Sequence, residues 1–524
     1  MLQRVTKKLV GSLLKTGHAM GSQPGMPIAL RSIHSSSCRR ASEEGLQLNE
    51  KTALYDIVIV GGGVAGTALA CALASNPVLR DNRVALVEAM DLTSTIEWSP
   101  VKESYSNRVV SLTPGSMNFF ERMGVVEHMN LSRVHGYGDM EVWDGVTDAR
   151  IKFDTSLLGS KKDTSKESIA YMVENIHLQN AMLKRIRECN TRGAQVDILQ
   201  KARVASIGNE QSSTEFDVSD WPSVKLESGD VLQTRLLIGA DGVNSPVRNH
   251  ANIESLGWDY DTHGVVATLK LDDSRPNNTA WQRFLPTGPI AMLPLSEGYA
   301  SLVWSTKPEI AKILKGVSSD DFCKLVNAAF RMSTIDLNYL YGAINKNTFI
   351  PECDIGLEYT WREEVANKSK STIEVWQREE SLPPAVVSIQ DKSRASFPLR
   401  MRNSERYVAD RVALVGDAAH AIHPLAGQGL NQGMLDVACL SKVLEKGTLE
   451  GQDIGKLNLL RDYAAERYGR NIVMLSACDK MHRLFGTDVA PVTWIRSLGL
   501  SAVNSSDSLK AEIMKYAMGV ESSR

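Results

Sequence analysis

Hydrophobic and polar positions along the chain alternate between two periods, one of strands and one of helices. YDIVIV (55–60) is a short apolar run rich in β-branched residues, the signature of a strand buried on both faces. TALACALASN (67–76) follows with small and apolar residues at helical spacing, and RVALVEA (83–89) returns to a strand-like run. Between the first strand and the helix lies GGGVAG (61–66). Strand, glycine turn, helix, strand is the opening unit of a parallel α/β sheet. The strand pattern recurs in RLLIGADGVNSPVR (235–248), which runs into an Asp-Gly turn, and in RVALVG (411–416), which runs into Asp417. Leu178, Met182 and Ile186 mark a helix that carries Gln179. Leu430, Met434, Val437 and Leu444 fall on one helical face and read as core. WQRFLPTGPIAMLPL (281–295) and ASLVWS (300–305) are strand-like and apolar, suited to a sheet core or to the wall of a greasy pocket.

The glycine turn carries chemistry. In Gly61-x-Gly63-x-x-Gly66 the first glycine makes the tight turn, and the second admits a pyrophosphate close to the backbone. The third lets helix and strand pack closely. Amide groups at the start of the helix then face the phosphates. Glu88, at the end of the second strand, is placed to accept the ribose hydroxyls of NAD or FAD alike. Asp417 emerges at the carboxyl end of a strand, where doubly wound sheets bind ligands, and its carboxylate can accept hydrogen bonds from a polyol chain. HPLAGQGLN (423–431) is a Pro/Gly-punctuated loop that aims backbone N–H groups outward, toward an electron-rich, partly anionic ring. Asp241, in the turn Gly239-Ala240-Asp241-Gly242, reads in its own right as the close of a buried strand. His420 and His423 lack acidic or cysteine neighbours at ligand spacing, so no metal is expected.

Charge changes the picture at the amino end. Residues 1–42 hold seven basic residues (Arg4, Lys7, Lys8, Lys15, Arg31, Arg39, Arg40) and no acid. The other residues, 52 basic against 61 acidic, carry a charge of −9. An acid-free, Arg/Ser-rich leader reads as a mitochondrial transit peptide, and the acidic body argues against nucleic-acid binding. Seven scattered cysteines without C-x-x-C spacing argue against a zinc site or disulfide scaffold. No run approaches the ~18–20 apolar residues of a membrane span. LEYTWREEVANKSKSTIEVWQREE (357–380) packs ten charges into 24 residues and reads as part of a surface insertion (341–392) with a partner-docking role. DVAPVTWIRSLGLSAVN (488–504) has Trp494, Ile495, Leu498 and Leu500 with the single charge Arg496. Two readings stand for it: a short interfacial membrane helix, or a helix packed on the first domain.

GxGxxG, the Asp-Gly segment and GDAAHAIHPLAGQGLNQGMLDV together resemble the three fingerprints of flavin-dependent aromatic monooxygenases of the p-hydroxybenzoate hydroxylase fold. HPLAGQGLN, SNRVVSLTPGS (106–116) and LFGTDVAPVTWIRSLGL (484–500) resemble the UbiH family of ubiquinone-biosynthesis ring hydroxylases, and the leader points to its mitochondrial, eukaryotic branch. The resemblance implies an α/β chain. A Rossmann-like FAD-binding domain (50–130, 168–250 and 400–480) would interleave with a mostly antiparallel substrate domain (131–167 and 251–399) and end in C-terminal helices (481–524). It implies FAD held by Gly61, Gly63, Gly66 and Glu88 at the ADP half and by Asp417 at the ribityl chain, with Asp241 also at the cofactor. Pro424, Gly427, Gln428, Gly429 and Asn431 would line the isoalloxazine, with Arg108 and Gln179 as flavin neighbours. Arg108 also reads as a surface ion-pair partner, and Gln179 as part of a solvated helix face. The implied reaction is O₂-dependent hydroxylation, at C5, of the ring of a polyprenylated 4-hydroxybenzoate-type substrate. Electrons would come from NADPH through ferredoxin reductase and ferredoxin. The implied setting is the matrix side of the inner membrane, in peripheral contact with it and in a complex with other ubiquinone-biosynthesis enzymes. Another flavin oxidoreductase or epoxidase, or a non-catalytic prenyl-binding protein, remains open at this point. No residue offers itself as the phenol's general base.

Overall fold

Five parallel strands form the centre of the first sheet, in the order Val412–Leu414, Val231–Gly239, Thr52–Val60, Arg83–Val87, Gln195–Leu199. The computed structural model describes residues 52–158, 168–209, 218–344, 354–368 and 370–519, so the basic leader lies outside the described residues. Ile57 sits opposite Leu236 on one side and Val84 on the other. Ile57, Val58 and Ile59 have no exposed surface, because the sheet is covered on both faces. Helix Val64–Ser75 is rich in Ala and other small residues, and this surface lets helices Asn175–Thr191 and Gly429–Leu449 pack against it. In the latter, Met434, Val437 and Leu444 of the expected face are buried, Leu430 is half-buried against the same core, and Leu440 joins them.

The chain crosses to a second sheet, returns, and crosses again. This sheet runs His420–Ala421, Ala395–Ser404, Ser255–Leu271, Tyr299–Thr306, Gly288–Pro294, Thr279–Leu285, Asp139–Asp144, Arg150–Asp154. All its neighbours are antiparallel except Thr279–Leu285 with Asp139–Asp144. Period-two alternation gives it two different faces. Trp143, Trp281, Leu285, Ile290, Met292, Leu302 and Trp304 point to one side, into a core with helices Pro308–Gly316, Ser319–Arg331 and Thr334–Ile344. Burying such side chains contributes roughly 1.5–3 kcal/mol each. The opposite face carries Ala280, Leu293 and Tyr299 against Tyr105, Tyr137 and Met172. There too Phe284 meets Phe485 and Leu425 of the loop that follows Asp417. The strands 281–295 and 300–305 are thus core on one face, and on the other they meet a small three-stranded sheet (Val109–Leu112, Ala170–Glu174, His135–Tyr137) and the loop after Asp417.

The ends of segment 341–392 belong to this layer. Tyr341 is buried in the outer core, and Val386–Ile389 pairs with Ser255–Leu271. Between them stand two helices, Ile355–Asn367 and Thr372–Glu380, the second opened by a capping box of Ser371 and Glu374. Their charges are partly internal: Arg331 bonds Glu379 at 2.8 Å and Arg378 bonds Glu363 at 2.7 Å. At the carboxyl end, helix Leu457–Phe485 leads to Ala490–Asn504 and Asp507–Ala517. Ala490–Asn504 packs on the edge strand Arg150–Asp154 of the second sheet rather than on the first.

Candidate flavin site

The glycine turn has the geometry its sequence demands. Gly61 adopts φ +105°, and a side chain there would strike the backbone of Ala240. At Gly66 an added methyl would run into the carbonyl of Gly61, so the helix can approach the strand only without one. At Gly63, which caps the helix, an added methyl meets nothing within 4 Å, so the turn is open where a pyrophosphate belongs. Glu88 reaches back over this turn: Gly62 N–H donates to its Oε2 at 2.7 Å and Met90 N–H to its Oε1 at 2.7 Å. The side-chain amide of Gln179 donates to the Gly62 carbonyl, to which Thr67 Oγ1 also donates at 2.9 Å. Gln179 therefore braces the turn rather than facing solvent.

Asp241 follows strand Val231–Gly239, the neighbour of the central strand. Its Oδ2 accepts from Val247 N–H at 3.1 Å, while Oδ1 is buried with no partner. Burial lifts its carboxyl above the ordinary range, with Ser245 and the Val247 amide pulling back. An orphaned acceptor of this kind fits a hydroxyl-bearing ligand. Asp417 lies in a tight turn after Gly416, which has φ +58°. Its side chain is open to solvent but walled in by the cleft, and desolvation raises its carboxyl while His420 lowers it.

The loop beyond Asp417 is pinned at several points. His423 is buried, and its Nδ1 accepts the Leu425 N–H at 3.1 Å; burial, aided by His482, drives its imidazole down to about 3. Pro424 begins a single 3-10 turn that ends at Gly427, φ +61°. Gln428 Nε2 donates to the Ala517 carbonyl in the last helix at 3.3 Å, and Gly429 opens the following helix. The Asn431 side chain is turned into the protein. Its Oδ1 accepts from Thr113 N–H at 3.0 Å and Ser116 Oγ at 2.8 Å, and its Nδ2 donates to the Ser111 carbonyl at 2.8 Å. Asn431 thus ties the loop to strand Val109–Leu112 and does not offer its amide outward. Arg108, just before that strand, is exposed and makes no ion pair among the described residues.

Sequence reasoning missed the group beneath the loop. Asp436, fully buried, accepts from Gly416 N–H (3.2 Å), His420 Nε2 (2.5 Å), Arg467 Nε (2.8 Å) and Asn471 Nδ2 (3.1 Å). Its only sequence signal is an acid at a core position of an apolar helix. Arg467, on a mixed helix 31 residues later, has none. His420 Nε2 thus faces Asp436, and His423 Nδ1 the Leu425 amide.

A parallel sheet with an open glycine turn, an acidic cleft over it and a loop-bearing second sheet define a flavoprotein of the FAD-binding monooxygenase fold. Residues 54–475 match the family described as FAD binding domain. A P. aeruginosa PqsL mutant structure (TM-score 0.60, 20% identity, 87% of this chain and 100% of that one) has the same fold. So does p-nitrophenol 4-monooxygenase PnpA from Pseudomonas putida (TM-score 0.60, 16% identity, 90% and 100%). The mitochondrial ubiquinone biosynthesis monooxygenase COQ6 of Xenopus tropicalis is 38% identical over 488 residues, 93% of this chain and 97% of that one. The Saccharomyces cerevisiae protein of the same name is 38% identical over 492 residues (92% and 98%), and the human one 37% over 464 (88% and 92%). This chain belongs to the mitochondrial ubiquinone biosynthesis monooxygenase family, as a flavoprotein monooxygenase whose cofactor is FAD.

Proposed function

We propose that this monooxygenase hydroxylates, at C5, the ring of a polyprenylated 4-hydroxybenzoate-type intermediate of ubiquinone biosynthesis, on the matrix side of the mitochondrial inner membrane. The observation that supports this reading most is the contact of Leu425 with Phe284, which sets the loop after Asp417 against the inner face of the second sheet. On that face Ala291, Leu293 and Val303 are only half-buried, with Gln282 and Ser301 as buried polar groups among them. Such a wall suits a phenol ring with a hydrocarbon tail.

Gly61, Gly63 and Gly66 with Glu88 hold the ADP half of FAD, and Asp417 and the orphaned Asp241 Oδ1 accept from its hydroxyl-bearing chain. Backbone N–H groups of Gln428 and Gly429 face the ring system, with Pro424 and Gly427 shaping the loop beside it and Arg108 at its edge; Gln179 and Asn431 brace the cradle from behind. Bound FAD supplies the reductive activation of O₂ and the transfer of one oxygen atom to the ring. The chain's own part is to orient the substrate ring and keep water out of the cleft. NADPH supplies the electrons through ferredoxin reductase and ferredoxin. Membrane contact comes through 488–504, where Trp494, Ile495 and Leu498 are exposed by 67%, 65% and 52%, alongside docking onto other enzymes of the pathway.

The test is incubation of the reconstituted enzyme with a prenylated 4-hydroxybenzoate under ¹⁸O₂, followed by product mass spectrometry. One ¹⁸O atom at ring C5 is expected. Oxygen at another ring carbon would remove the C5 assignment, and an epoxide or a reduced product would remove ring hydroxylation.

A further inference from the structure

We infer that the buried pair Asp436–Arg467 is a positioning device for the flavin, holding the whole loop 416–432 from underneath. The loop carries Asp417 and residues 424–431, and three of its points end on this pair. At its start, the Gly416 N–H donates to Asp436 Oδ2 at 3.2 Å, fixing the left-handed turn from which Asp417 projects. In its middle, His420 Nε2 lies 2.5 Å from the same oxygen. At its end, Arg467 donates through its second nitrogen to Gln432 Oε1 at 3.0 Å and to the Gln432 carbonyl at 3.5 Å. Arg467 Nε holds Asp436 Oδ1 at 2.8 Å, and Asn471, one turn further along the same helix, bonds both: Arg467 to its Oδ1 at 2.7 Å and its Nδ2 to Asp436 Oδ1 at 3.1 Å.

The pair is dry. Asp436 and Asn471 have no exposed surface, and His420 and Arg467 are each 2% exposed. Burial opposes the charge on Asp436, but His420 and Arg467 outweigh it and hold the carboxyl below its ordinary range. Both carboxylate oxygens accept two hydrogen bonds, so neither the Gly416 turn nor the Gln432 end can shift without stranding a buried charge. None of these four side chains is one of the groups proposed to meet FAD. They act through the loop: a displaced Gly416 moves Asp417, and a displaced Gln432 moves the amino end of the helix that begins at Gly429. An isolated structural ion pair would need only one contact with the loop; this one grips its beginning, middle and end.

The inference rests on the reading of Asp417 and 424–431 as flavin contacts, and the test separates the two. FAD dissociation constants and flavin midpoint potentials are measured for wild type, Asp417→Ala, Asp436→Asn, Arg467→Gln and the double variant Asp436→Asn/Arg467→Gln. Thermal melting of the flavin-free proteins is followed in parallel. Each single substitution should weaken FAD by at least about tenfold and shift the potential of the bound fraction. The double variant should be no worse than the weaker single one, because it no longer strands a lone charge. Wild-type affinity in Asp417→Ala would overturn the flavin assignment itself. Weakened binding in Asp417→Ala with wild-type affinity and potential in folded Asp436→Asn would overturn the positioning role alone, as would strictly additive losses. Should Asp436→Asn fail to fold, His420→Gln keeps the Gly416 and Arg467 contacts and decides the matter. A shifted potential supports the role, and an unchanged potential and affinity remove it.

Discussion

Glu88 joins the nucleotide turn to the second strand through two backbone donors, Gly62 and Met90, each at 2.7 Å. A carboxylate has about four acceptor sites, so two remain for ribose hydroxyls. Glu88→Ala removes both the brace and the acceptor, and charge-assisted hydrogen bonds of this kind are worth roughly 1.5–3 kcal/mol. FAD affinity should fall about 10–150-fold in a titration of the flavin-free protein. Asp417 adds a pH dependence. Its carboxyl titrates above the ordinary range, and only the ionised form is a pure acceptor. The dissociation constant should therefore rise as pH falls through that raised value, at milder acidity than a fully hydrated aspartate would give. Asp417→Asn should abolish that dependence, and an identical pH profile in the variant would assign it to another group. At this scale the glycines and Glu88 were legible because backbone geometry leaves few residue choices. Asn431 was legible in position but not in direction, since a sequence places an amide on a loop without saying which way it turns.

Among the elements, helix Ala490–Asn504 shows how a single charge can mislead. In sequence Arg496 reads as the lone polar residue of an apolar stretch. In the fold it is the helix's anchor: Nε and the second guanidinium nitrogen bond Asp144 at 2.8 and 2.9 Å, and the third reaches the Thr487 carbonyl at 2.6 Å. Asp144 is itself fully buried. Arg496→Ala leaves that carboxylate without its ion-pair partner, held only by the Val146 N–H and the Thr147 hydroxyl, a loss of roughly 3–5 kcal/mol. The variant should show faster amide exchange across 490–517 before any change in the parallel sheet. With the charged side held inward, Trp494, Ile495 and Leu498 are left outside. Trp494→Ser with Leu498→Ser should cut flotation with liposomes while leaving the melting temperature near wild type. Equal flotation would move the membrane contact to partner proteins or to the exposed Trp361 and Trp376 on helices 355–380. Those two helices carry eight of the ten charges that made the segment read as surface, and the pairing of Arg331 and Arg378 with its glutamates could not be foreseen without the neighbouring helix.

For the molecule as a whole, the parallel sheet and the second sheet follow from hydrophobic period, whereas their interleaving came from family resemblance, because strand order depends on contacts between distant segments. The transit-peptide reading falls on residues outside those described, and it makes its own prediction: the mature mitochondrial protein should begin near Ser42, where the acid-free region stops at Glu43. Amino-terminal sequencing that recovers Met1 from the matrix would remove it. The central strand adds a constraint of timing. Thr52 pairs with Val231, and Leu237 with Val412, so neighbours in the sheet are far apart along the chain. A precursor that threads into the organelle from its amino end delivers the glycine turn first and Asp417 hundreds of residues later. Until then the nucleotide cradle lacks a wall, and the half-imported chain presents unpaired strand edges. On the transit-peptide reading, flavin loading therefore belongs after translocation, once Asp417 has joined the glycine turn.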